Sequence, residues 1–162
     1  SPEISLLTHP RPGLIVLRSL GKFFGLAGAR VGFVCAEASL LSRLEALLGP
    51  WSVSGPSRWV ASSALRDLEW QAEARQSLPM QSDRLRRLLT DHGLAPSGGS
   101  ALFQWVITPH ARTLHHALAQ QGILVRLFDA PASLRFGLPG CEAQWQRLTQ
   151  ALPHLSPIRK TL

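Results

Sequence analysis

The chain has 162 residues, 45% hydrophobic and 17% charged, with a formal charge of +7 from 17 Lys and Arg against 10 Asp and Glu. That length admits one ordinary domain or two small ones, and no apolar run reaches the roughly 18 residues of a membrane span. Two isolated cysteines, Cys35 and Cys141, make neither a disulfide framework nor a zinc pattern, and no secretory leader pattern follows Ser1, so a reducing cytoplasm fits best.

In chain order, Leu14 to Leu17 (LIVL) reads as a buried strand after Pro12-Gly13, and Val31 to Ala36 (VGFVCA) as a second. Ser39 opens a helix with Leu40, Leu41, Leu44, Leu47 and Leu48 on one face, stopped by Gly49-Pro50. Trp51 to Pro56 is a loop, and an Ala-rich helix runs from Ser57 to about Asp67. A helical pattern from Leu68 to His92 is expected to break or kink at Pro79, and this long polar helix is the natural bridge between two domains. Gly93 ends it, and Pro96 to Ser100 is a loop. Ala101 to Thr108 and Ile123 to Phe128 read as strands around a helix over Pro109 to Gln121. Leu134 to Leu138 is a further strand, and Glu142 to Leu152 a last helix with Trp145, Leu148 and Leu152 on one side.

The order after residue 100 describes a small α+β layer, and the front part a piece of an α/β domain. The basic charge is scattered. Its one dense cluster is Arg84, Arg86 and Arg87, and no RNP, zinc-finger or helix-turn-helix pattern accompanies it. These arginines read as solvated helix faces plus a few anion sites, so neither nucleic acid nor a membrane is expected as a partner.

Lys22 is the chain's only lysine before Lys160, and it sits in "RSLGKFFGLAGARVGF", Arg18 to Phe33. It has two readings. A turn lysine ordinarily keeps its ammonium in water. A lysine flanked by Phe23, Phe24 and Leu26 can also be desolvated and made nucleophilic. Such an amine forms a Schiff base with a carbonyl, of which pyridoxal phosphate is the common biological case. Ser19, Gly21, Gly25, Gly28 and Arg30 could then cradle the cofactor's phosphate. The segment is neither a Walker loop nor GxGxxG.

The segment closely resembles the lysine signature of fold-type I pyridoxal-phosphate aminotransferases, S/T-x-S/T-K-x-x-G-L-A-G-x-R-x-G. The match runs through Ser19, Lys22, Gly25, Leu26, Ala27, Gly28, Arg30 and Gly32. It looks most like the branch holding histidinol-phosphate aminotransferase and threonine-phosphate decarboxylase. The resemblance implies that Lys22 bonds the cofactor and that Ser19 and Arg30 bind its phosphate. Gly21 departs from the usual Ser or Thr, and the family's decarboxylase branch typically carries glycine there. Trp51-Ser52-Val53-Ser54 is similar to the family's P-W-x-V-S loop, which lies close to the cofactor. "GILVRLFDAPASLRFGLPG", Gly122 to Gly140, looks like the family's C-terminal segment. There Arg135 takes the place of the arginine that holds the substrate carboxylate, and Arg126 that of one near the substrate phosphate. Without the motif, Arg135 reads as one half of a surface ion pair.

Three weaker candidates are read structurally. His110, His115 and His116 are surface or packing residues and no metal site is expected, Cys35 is a buried strand thiol, and Asp129 belongs to a turn.

The family also uses an aspartate, a tyrosine and an asparagine upstream of the lysine. Here 21 residues precede Lys22, with none of the three among them. The chain is therefore expected to be the C-terminal part of a pyridoxal-phosphate transferase fold of α/β class. Residues 1–76 would end the large cofactor domain, and 77–162 would form the small α+β domain. The implied activity is decarboxylation of L-threonine O-3-phosphate to aminopropanol phosphate, for cobalamin, in a cytoplasmic homodimer. The alternatives are a histidinol-phosphate-type aminotransferase and a non-catalytic fragment, which as a basic protein could bind nucleic acid nonspecifically.

Overall fold

The computed structural model of the chain describes residues 6–8 and 11–155. Backbone contacts divide the chain into two units, 1–71 and 72–162, with the division inside a long helix.

The first unit holds strands β1 (Val16–Ser19) and β2 (Gly32–Cys35) and helices α1 (Ala38–Leu48) and α2 (Gly55–Arg66). The strands form an antiparallel ribbon in which Val16 faces Cys35 and Ser19 faces Gly32. Helix α1 ends at Gly49, whose φ of +68° favours glycine. Helix α2 starts on Ser54, which accepts the Ser57 N–H, and has proline in its first turn. It packs against a single 3-10 turn at Ala27–Ala29.

Two expectations fail in the ribbon. The apolar LIVL run is not buried: strand pairing begins at Val16, and Leu17 is 72% exposed. Cys35 is exposed rather than buried. The reason is common to both. A two-stranded ribbon has no second layer of its own on either face. A hollow of about 620 Å³ runs along Leu14, Val16, Val34 and Leu41 and is mainly apolar.

The long helix α3 (Leu68–Asp91) is continuous through Pro79. Proline there removes one backbone bond, and the rest of the ladder persists; the expected break is absent. His92 and Gly93 close it, with Gly93 in the left-handed region.

The second unit carries a four-stranded antiparallel sheet, with strands β3 (Gly98–Ser100), β4 (Phe103–Ile107), β5 (Arg126–Asp129) and β6 (Ala132–Gly137) in the order β3-β4-β6-β5. Helices α4 (Ala111–Gln120) and α5 (Glu142–Ala151) complete it. Val106 faces Leu134, and Gln104 faces Phe136. These side chains share the face that meets Leu85 and Leu89 of α3, Leu114 and Leu118 of α4, and Trp145 and Leu148 of α5 in one core. Gln104, buried in that face, donates from Nε2 to Ser82 Oγ at 2.8 Å, and Ser82 Oγ donates to the Ser100 carbonyl at 2.9 Å. The 96–100 segment, expected as a loop, thus pairs its last three residues with β4. No helix among the described residues is long and apolar enough to cross a membrane.

Candidate functional site

Strand β1 delivers Ser19 to the mouth of the ribbon, and β2 leaves from the opposite side at Gly32. Between them residues 20–31 fold as a closed hook. The Leu20 N–H reaches the Val31 carbonyl at 3.5 Å, and the Leu26 N–H the Leu20 carbonyl at 2.9 Å. Leu20 is 2% exposed, so the hook hangs from one buried apolar anchor.

Lys22 opens a tight turn inside it. Its carbonyl accepts the Gly25 N–H at 3.0 Å, and Gly25 has a φ of +67°, which a side chain would strain. Phe23 and Phe24 occupy the two corners, so Lys22 holds its place while its side chain stays exposed. Ser19 Oγ accepts the Gly21 N–H at 3.0 Å. A Cβ on Gly21 would stand 3.2 Å from Ala27 Cα and 3.3 Å from Ser19 Oγ. The close approach of the hook's two arms therefore disfavours a Ser or Thr at this position.

Arg30 closes the hook in the left-handed region, φ 51° and ψ 42°, with its backbone N–H on the Ala27 carbonyl at 3.4 Å. Its guanidinium reaches the same carbonyl at 3.5 Å. Among the described residues, neither Lys22 nor Arg30 is paired with a carboxylate. No Asp or Glu occurs between Glu3 and Glu37, so the hook presents Arg18, Lys22 and Arg30 with no nearby acid in sequence. The hook thus offers an amine, a hydroxyl, a guanidinium and glycine N–H groups, the donor set that an aldehyde bearing a phosphate requires.

Beside β2 lies a cleft of about 420 Å³ bounded by Gly32, Trp51, Val53, Arg58 and Leu65. Trp51 is 92% exposed with a φ of +69°. For a bulky residue this costs on the order of 1 kcal/mol, and such outliers concentrate at functional loops. Ser54 ends the loop as the cap of α2.

In the second unit Arg126 and Arg135 are directly opposite across β5 and β6. Cross-strand partners share a face, here the one opposite the core, with Trp105 next to Arg135 on β4. The Arg135 guanidinium lies 4.9 Å from the Phe103 ring centre and 5.9 Å from that of Phe128; Arg126 lies 5.7 Å from Phe128. Among the described residues neither pairs with a carboxylate. Like charges facing each other repel, so the pair is a place for an anion. The sequence singled out both arginines but did not show that they are neighbours. That follows only from the hairpin register.

The remaining candidates fall elsewhere. Arg84 pairs bidentately with Glu142 at 2.8 and 2.7 Å, and Arg86 and Arg87 both pair with Asp83. Hydrogen bonding from Arg84 holds the Glu142 carboxyl below its ordinary range, and hydrogen bonding from Arg86 does the same for Asp83. Asp129 meets Arg112 in an exposed ion pair at 2.7 Å. Among the described residues no three His, Cys, Asp or Glu side chains converge.

Residues 3–152 match the family model "Aminotransferase class I and II". A threonine-phosphate decarboxylase of Pseudomonas aeruginosa is 58% identical over 153 residues, which cover 94% of this chain and 46% of that enzyme. A histidinol-phosphate aminotransferase of Staphylococcus epidermidis is 29% identical over 94% of this chain and 42% of its own length. Among solved structures, the histidinol-phosphate aminotransferase of Sinorhizobium meliloti in complex with pyridoxal-5'-phosphate superposes with a TM-score of 0.82 at 26% identity, covering 91% of this chain and 42% of that one. The chain spans somewhat under half the length of the curated relatives it matches.

Proposed function

The chain belongs to the class I and II aminotransferase family, and from that premise we propose that it serves a pyridoxal-phosphate enzyme that decarboxylates L-threonine O-3-phosphate to aminopropanol phosphate, a cobalamin precursor. The observation that carries the cofactor half of this reading is the hook, whose single lysine is locked in a hydrogen-bonded turn between a serine and an arginine. The 58% identity to a threonine-phosphate decarboxylase supports the substrate half.

Pyridoxal phosphate, when bound, supplies an electron-accepting ring for the pair released as a bond at the substrate's Cα breaks. Lys22 Nζ would be the group that holds the cofactor's aldehyde carbon, and as a free amine it would be the base able to hold or deliver a proton at the substrate's Cα. Ser19 Oγ and the Arg30 guanidinium hold the phosphate. Gly21 keeps the two arms of the hook close and leaves its own N–H on Ser19.

The substrate carries a carboxylate and a phosphate, and Arg135 and Arg126 are the groups suited to them. A guanidinium on Arg135 grips the carboxylate in two-point fashion and sets which Cα bond is weakened. Their aromatic neighbours Phe103 and Phe128 keep both side chains oriented over the sheet.

Borohydride reduction of the full natural protein, followed by peptide mapping and product analysis, tests the reading. It expects a pyridoxyl group on Lys22 and CO₂ from threonine phosphate. An unmodified Lys22 overturns the cofactor role. A modified Lys22 with amino transfer to a keto acid and no CO₂ favours the second reading, a histidinol-phosphate-type aminotransferase, which the 0.82 TM-score supports.

A further inference from the structure

The turn that carries Lys22 is clasped from outside. Phe23 and Phe24 meet edge to face with ring centres 5.1 Å apart. Trp70 stacks on Phe24 at 5.7 Å and 18° and meets Phe23 edge-on at 5.4 Å. Both corners of the Lys22–Gly25 turn therefore rest on one indole. Trp70 is itself fixed. Its backbone N–H donates to Asp67 Oδ1 at 3.0 Å, capping the first turn of α3. The next residue, Gln71, is buried, and its Nε2 donates to the carbonyls of Ala64 and Leu65 at 3.2 and 3.1 Å, tying α3 to the last turn of α2.

This trio is not core packing. Trp70 is 39% exposed, and in residues 1–71 the buried apolar side chains among those described are Leu20 and Ala61. A three-ring cluster outside a core, gripping both corners of the turn that begins with Lys22, has a positional effect on that lysine. We infer that Trp70 is a positioning residue for Lys22, acting through Phe23 and Phe24. The inference rests on the reading of Lys22 as the cofactor lysine. Two ring pairs of ordinary strength favour the closed turn by roughly ten- to a hundredfold. Without them the amine's starting point rests on the hook's backbone and serine hydrogen bonds, among them Lys22–Gly25, Leu20–Leu26 and Gly21–Ser19.

The test uses the full natural chain and its variants Trp70→Ala, Trp70→Phe and Phe24→Leu. Each is treated with pyridoxal phosphate and borohydride, and adducts are counted by mass spectrometry on Lys22 and on Lys160, which lies outside the described residues and serves as the internal reference. Amide exchange at Gly25 and Leu26 is measured in parallel without cofactor. Trp70→Ala is expected to lower the Lys22-to-Lys160 ratio about tenfold and to speed exchange at Gly25, while Trp70→Phe restores both. If Trp70→Ala does not fold, Phe24→Leu is expected to change both in the same direction. Wild-type protein with no preference for Lys22 overturns the cofactor reading. Unchanged exchange at Gly25 in Trp70→Ala or Phe24→Leu overturns the clasp whatever the cofactor does, and changed exchange with an unchanged adduct ratio overturns the positioning role.

Discussion

Within this chain the two units are held together differently. Residues 72–162 gather Leu85, Leu89, Leu114, Leu118, Leu134, Phe136 and Trp145 into one continuous core. Residues 1–71 have little core among the described residues and are instead held by turns, caps and a ring cluster, with Leu17, Leu47 and Trp59 largely exposed. The proposed cofactor lysine sits in the second kind of structure. Local hydrogen bonds can fix a backbone within a few residues, whereas hydrophobic burial rewards only the whole assembly. In this chain the hook's local hydrogen bonds fix the backbone at Lys22 while its side chain stays exposed.

The sharpest separation comes from Lys22→Ala. Its side chain is exposed and packs in no core, so the thermal midpoint of the cofactor-free protein should stay in place. Activity of the full natural protein with threonine phosphate should fall roughly a thousandfold or more, since bonding and proton transfer are lost together. A large drop in the midpoint would show that the lysine holds the hook rather than serving chemistry.

Leu134→Ala inverts that pattern. Leu134 is fully buried at the centre of the sheet, so truncation should cost roughly 2–5 kcal/mol in denaturant unfolding. Leu17→Ala, at 72% exposure, should stay within about 0.5 kcal/mol of wild type in these residues' surroundings. Equal losses at the two positions would mean that the ribbon is covered in the natural protein, and the contrast between the units would then belong to this chain alone.

Much of this contrast was legible in the sequence and some was not, for physical reasons. The 3.6-residue period of Leu40, Leu41 and Leu44, or of Leu114 and Leu118, marks helices because it is local. The lysine segment is legible because its glycines, serine and arginine lie within a few residues of each other. Strand β3 was missed because Gly98-Gly99-Ser100 has no strand propensity, and it forms only through pairing with β4 and the Ser82–Gln104 contact. LIVL was misread because an apolar run reports what a strand could bury, not what covers it. The Trp70 clasp left no sequence signal, since 48 positions separate it from Lys22 and nothing local links them.

Gly99→Ala probes that missed strand. An added Cβ would stand 2.7 Å from the Phe103 carbonyl oxygen and 2.8 Å from Gln104 Oε1, closer than real contacts allow. The backbone must shift, loosening the Gln104–Ser82 hydrogen bond beneath it. We expect a loss of roughly 1–3 kcal/mol, read in urea unfolding, with no direct effect on adduct formation at Lys22. Gly98→Ala is the control, since its added Cβ meets only the Trp105 ring at 3.7 Å.

The smallest effect concerns the edge of the second unit's core. Arg84 pairs with Glu142 in the first turn of α5 and lies 4.2 Å over the Trp145 ring, so an exposed ion pair covers a buried indole. Its energy is small because both groups face solvent. Its pH dependence has a definite sign. The Glu142 carboxyl titrates below its ordinary value of 4.5 in the folded chain, mainly through the Arg84 hydrogen bond. Its contribution is therefore complete above that value and is lost as pH falls through the lower, folded one. Glu142→Gln keeps a hydrogen-bonding group and removes the charge. The gap in urea midpoint between wild type and Glu142→Gln should thus be fully open at neutral pH and close on acidification below about 4.5. Asp83, whose carboxyl is also held low by Arg86, titrates in both proteins and cancels from the difference. Raising the salt at neutral pH should narrow the same gap, because exposed charges are screened. No gap at neutral pH would assign the stabilisation of this edge to Arg84 stacking on Trp145, which both proteins keep, and not to the ion pair.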